Sequence, residues 1–149
     1  MLLPDLAGSW TGRSRLWLSP TEPVRESETT AFVAAAVRDQ GLLFRYTWSD
    51  GGEPQEGVLV VQHDAATGVV TAGWTDSWHL RDTVMACRGE LTPAGQLDIQ
   101  GTYAAPPGPD WGWQIVIEPP QDDAFTLRMF NISPDGRAEL AVEAEYERQ

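Results

Sequence analysis

The chain has 149 residues, with 22 acidic and 10 basic side chains, for a formal net charge of −12. That length suits one domain, residues 1–149, with enough chain to bury a core unaided by disulfides or metals. The acidity argues against nucleic acid and anionic membrane as partners, because phosphate binding needs clustered positive charge. Every cation is an arginine, tryptophan occurs seven times, and the lone Cys87 rules out an intrachain disulfide. No run approaches the roughly 20 apolar residues of a membrane helix. The opening Met1–Leu6 lacks the basic and apolar regions of a signal peptide, so the expected location is cytoplasmic.

Nine turn signals divide the chain into ten strand-length segments. The first segment ends at Ser19–Pro23 and carries Arg13 and Arg15 on one face. The second holds the run 31–38, whose length and flanks favour a strand. The third puts Leu42, Phe44, Tyr46 and Trp48 on one face. The fifth carries Trp74, Asp76, Trp78 and His79 before a weak break at Arg81-Asp82. Period two points Trp74, Asp76 and Trp78 the same way. The eighth segment follows a proline-rich loop and aligns Trp111, Trp113, Ile115 and Ile117. In the tenth, Ala138, Leu140, Val142, Ala144 and Tyr146 form a dry face opposite Glu139, Glu143, Glu145 and Glu147. A short helical turn fits residues 3–7.

Ten strands joined by short turns make an antiparallel meander. Closing it into an up-and-down barrel removes two exposed edges. The first and last strands should then pair, with Arg13 and Arg15 against Glu143, Glu145 and Glu147, and with Glu26 and Glu28 flanking from the second.

Three resemblances bear on this expectation. Gly8-Ser9-Trp10 at the start of the first strand resembles the opening of the lipocalin and fatty-acid-binding superfamily. That likeness implies a barrel plug made by Trp10 with Arg148 packed over it. The helical lid of fatty-acid-binding proteins has no counterpart, since only Ser19–Pro23 joins the first two strands. Gly73–His79, Phe125–Asn131, Pro134–Gly136 and Glu143–Arg148 are similar to the bacterial domain-of-unknown-function family 1579. The likeness covers about residues 6–148 and implies a calycin-like barrel, with no particular activity. Nitrobindin-like barrels share the Gly8-x-Trp10-x-Gly12 opening but hold haem through a late histidine. No histidine follows His79 here, which disfavours a haem of that type.

The chemistry gathers in the fifth and eighth segments. A ligand pocket would use aromatic walls from Tyr46, Trp48, Trp74, Trp78, Trp111 and Trp113, with Asp76, His79 and Arg128 as polar contacts. A carboxylate among aromatics needs a donor, supplied by Arg128, Arg45 or a tryptophan N–H. In the plainer reading the tryptophans fill a tapered barrel and Asp76 caps a turn. No cofactor and no metal is expected, because His63, His79 and Asp76 lack zinc-motif spacing. Ser77, His79 and an aspartate supply triad residue types without a Gly-x-Ser-x-Gly elbow. Asp76 and Asp110 are the one acid pair to check for glycoside chemistry. Three functions stay open: a barrel binding a small apolar or aromatic molecule in its interior, an enzyme using Asp76 and His79 as acid and base, or a filled structural barrel. In the last, outward Phe32, Trp17 and Phe130 would promote a homodimer.

Overall fold

The structure, a computed structural model, describes residues 3–149. Ten strands run β1 (Gly8–Leu16), β2 (Arg25–Ala36), β3 (Gly41–Asp50), β4 (Glu53–His63), β5 (Val69–Asp76), β6 (Met85–Leu91), β7 (Leu97–Tyr103), β8 (Trp111–Ile117), β9 (Ala124–Ile132) and β10 (Ala138–Arg148). Each pairs antiparallel with its chain neighbour, and β1 pairs with β10, so the sheet closes into an up-and-down barrel. Among the described residues no helix is long and apolar enough to cross a membrane.

Local sequence explains the hairpins. Asp50 pairs with Glu53 across Gly51 and Gly52, whose φ values are 56° and 86°. A two-residue turn matching strand twist needs positive φ at both centres, which glycine adopts without a Cβ clash.

Closure also places the charges as expected. Arg13 lies opposite Glu145 on one side and Glu28 on the other, and Arg15 opposite Glu143 and Glu26. Arg15 reaches Glu26 at 3.1 Å, Glu143 at 3.0 Å and Glu145 at 3.5 Å. Glu26 and Glu145 are solvated and Glu143 is partly buried, so the exposed pairs help register more than stability.

The strict alternation expected along the last strand is broken. A β-bulge between Leu140 and Val142 shifts the register against β9. Val142, Ala144 and Tyr146 point into the core after it, whereas Ala138 is exposed and Leu140 only half-buried before it. The extra residue, Ala141, is itself buried and its carbonyl accepts the N–H of Trp17 at 2.9 Å. Bulges re-aim side chains in this way while bending the strand.

The short 3-10 turn Pro4–Leu6 closes one end. Leu6 and Trp10 are fully buried there, and Trp10 Nε1 donates to the Leu6 carbonyl at 2.9 Å. Arg148 lies opposite Trp10 across the seam, with its guanidinium 4.2 Å from the indole centroid. It donates to the carbonyls of Ala7 and Asp5 and pairs with Asp123. Behind Trp10 stand Phe125, Phe44 and Tyr146, edge-on or stacked at 4.7–6.3 Å. The end bearing Trp10 is therefore solidly filled. Of the three outward aromatics, Phe32 is exposed, while Trp17 and Phe130 are half-buried.

Candidate functional site

The opposite end is built around the last residue of β5. Asp76 is buried, and its Oδ1 accepts the backbone N–H groups of Trp78 at 2.8 Å and His79 at 3.0 Å. An aspartate side chain bonding backbone two and three residues ahead holds a tight turn. The Asp76 carbonyl adds bonds from the N–H groups of Leu80 at 3.0 Å and Arg81 at 2.9 Å. Its Oδ2 accepts from Tyr46 Oη at 2.6 Å and Trp48 Nε1 at 3.2 Å. Tyr46 Oη in turn accepts from Trp74 Nε1 at 3.0 Å.

This turn corrects the expected alternation. The strand stops at Asp76, so Trp78 does not reach the barrel mouth by period two. The turn instead swings two consecutive residues, Trp78 and His79, back over the opening. Alternation would have sent them to opposite faces.

Four indoles surround the His79 ring. Its centroid lies 4.7 Å from that of Trp78, 5.2 Å from Trp113, and 5.7 Å from both Trp48 and Trp74. Trp74 and Trp113 stack at 5.3 Å with planes only 7° apart. Trp113 Nε1 is the one buried side-chain polar atom without a hydrogen-bond partner among the described residues. A buried donor left unmet costs about 1–3 kcal/mol.

Burial sets the ionisation here. Loss of solvent lowers the His79 pKa below 6.5, with the Asp76 charge opposing. The Tyr46 hydroxyl is pushed well above its ordinary value, first by burial and then by Asp76. Burial raises Tyr146 to about 12.

His79 separates two spaces. Inside lies a cavity of about 20 Å³ bounded by Thr29, Tyr46, Trp48, Asp76, His79 and Tyr146 among others. It has room for about one water. Outside lies a cleft of about 460 Å³ whose walls include Trp74, Trp78, His79, Tyr103, Trp113 and Asn131. Tyr103 Oη donates to Asn131 Oδ1 at 2.5 Å. Neither Tyr103 nor Asn131 is legible as a site residue in the sequence; Tyr103 ends a segment before the proline-rich loop, and Asn131 closes the family-like stretch Phe125–Asn131.

Other expected site residues lie elsewhere. Arg128 points to the outer wall, where it pairs with Glu118 at 2.6 Å and Glu143 at 2.9 Å. It occupies the outward parity of β9, between buried Leu127 and Met129, so it does not meet Asp76. Arg45 is exposed for the same reason on β3. Trp111 is half-buried at the start of β8 and lines neither space. Asp110 is exposed, so it does not face Asp76. Ser77 is also exposed and bonds Gln55 and the Glu56 N–H, away from the His79 ring. His63 ends β4 at the opposite end of the barrel from Asp76. Among the described residues no group of three or more His, Cys, Asp or Glu side chains is placed to hold a metal.

Fold and site together define a closed ten-stranded up-and-down barrel, plugged at one end and carrying a tryptophan box at the other. The chain belongs to the family described as "Protein of unknown function (DUF1579)", whose sequence profile matches residues 1–148. Among solved structures it is similar to that titled Rv2717c from M. tuberculosis. The TM-score is 0.66 at 15% identity, over 99% of this chain and 94% of that one. It is also similar to the S-type phycobiliprotein lyase CPES from Guillardia theta. There the TM-score is 0.60 at 14% identity, over 99% of this chain and 90% of that one. At these identities the likeness concerns the fold. No curated protein matches the sequence.

Proposed function

We propose that the protein binds a small, flat aromatic molecule at the tryptophan end of the barrel. The ligand would occupy the outer cleft and the space now held by the His79 ring. The carrying observation is the convergence of four indoles on one histidine, beside a 460 Å³ cleft and an unmet Trp113 donor. Aromatic walls with a few convergent polar groups suit a flat ligand, and burial against such walls is the main source of affinity. Binding deep in the barrel is not favoured, because the interior space holds about one water. A neighbour of the same fold is a phycobiliprotein lyase, and a shared fold does not by itself set the ligand.

The acid–base alternative has weaker support. Asp76 meets His79 through the backbone N–H, and all its hydrogen bonds come from groups that hold the turn and the box.

Indole N–H resonances test the proposal directly. Aromatic fragments titrated into labelled protein should shift the Nε1–H signals of Trp48, Trp74, Trp78 and Trp113 and leave Trp10 unmoved. Trp74→Ala and Trp113→Ala should each weaken the binding. Unchanged affinity in both variants would remove the proposed site.

A further inference from the structure

We infer that the head group this box receives is an organic cation, a quaternary ammonium or an N-alkylated aromatic ring. The inference rests on the proposed aromatic site and names its ligand class. Asp76 is 2% exposed, and its carboxylate accepts four hydrogen bonds, filling the sites of an acceptor-only anion. All four donors are neutral: a phenol, an indole and two peptide groups. None of the ion pairs among the described residues includes Asp76; they lie on the outer wall and rims. Buried charges are ordinarily matched by an opposite charge, and this one is not.

No arginine borders the inner cavity or the outer cleft. The nearest titratable base is His79, which burial keeps neutral. An anionic ligand in the His79 space would be repelled by the Asp76 charge and would find no cation. A cation in the space of the His79 ring would feel the Asp76 charge, which already acts on that ring, with four indoles around it, and aromatic rings attract positive charge most strongly when desolvated. The His79 imidazole now sits where such a head group would lie, 4.7–5.7 Å from all four indole centroids. It is the internal occupant that a ligand displaces. The chain's net charge of −12 also favours approach of cations.

Three probes of one shape separate the alternatives: N-methylquinolinium, quinoline and a quinoline carboxylate. Binding of each to the full chain is measured by calorimetry at mildly alkaline pH and moderate salt. The cation should bind about tenfold tighter than quinoline, and the carboxylate weakest. Asp76→Asn should abolish that preference, whereas the surface control Asp110→Asn should retain it. His79→Ala, which empties the box, should tighten N-methylquinolinium binding about tenfold. Equal affinity for cation and quinoline, or a cation preference that survives in Asp76→Asn, would overturn the inference and leave aromatic binding standing. Failure of all three probes on both wild type and His79→Ala would remove the aromatic site itself. If Asp76→Asn does not fold, the order of the three probes on His79→Ala decides.

Discussion

Asp76 Oδ1 accepts the backbone N–H of His79 at 3.0 Å, and that bond bends the chain so that the imidazole covers the barrel mouth. The same carboxylate fastens Tyr46 and Trp48 from β3 through its other oxygen. One side chain thus ends a strand, shapes a turn and ties that turn to a strand two places away in the barrel.

Replacing Asp76 by Ala should cost about 2–4 kcal/mol of stability. The loss leaves the Trp48 indole N–H and the Tyr46 hydroxyl buried without an acceptor. Urea denaturation of both proteins measures it. A cost below about 1 kcal/mol would mean that the turn stands without its carboxylate.

His79 should make the protein sensitive to mild acid. Its folded pKa lies below 6.5, so the unfolded chain takes up a proton that the folded chain resists. Stability from this group is therefore complete above the unfolded pKa and is lost as pH falls toward the folded one. The groups facing it are Asp76, whose charge opposes the shift, and Tyr46 and Tyr103, both raised by burial and protonated throughout that range. Melting temperature should fall more between about pH 7 and pH 5 in wild type than in His79→Gln. Parallel curves for the two would show that the ring is solvated.

Gly57 is a packing requirement of the same site. A Cβ there would stand 2.1 Å from Tyr46 Cζ and 2.2 Å from its hydroxyl. Gly57→Ala should push the phenol off Asp76, destabilise the fold by about 1–3 kcal/mol and alter the near-ultraviolet circular dichroism of the tryptophan box. Unchanged spectra and stability would show that Tyr46 has room to move.

At the closed end, Arg148→Ala removes the cation over Trp10 and the bonds to the carbonyls of Ala7 and Asp5. The expected cost is about 1–2 kcal/mol, with faster amide exchange in residues 5–10. Arg148→Lys should recover only part, because an ammonium lacks the flat fork that both bonds and stacks. Full recovery would mean that charge alone suffices.

Sequence by itself determined the number of strands, their order and the closure of the barrel. Regular turn residues cut the chain into ten pieces, and period-two alternation gave most of them one dry face. These are local properties, carried by glycine, proline and hydrophobic spacing within a few residues of each other. The seam between β1 and β10 was legible as well, since opposite charges fell on facing segments. Tertiary structure decided the rest. The dry face of β10 depends on a bulge that slips by one residue, and no local residue marks it. Arg128 turned outward because β9 parity, fixed by the neighbouring core residues, left it on the wet face. Trp78 and His79 both reach the mouth because a carboxylate captures two backbone N–H groups, and only the folded chain brings Tyr46 and Trp48 to its other oxygen. Strand alternation is written one residue at a time. The box exists only when strands far apart in sequence converge.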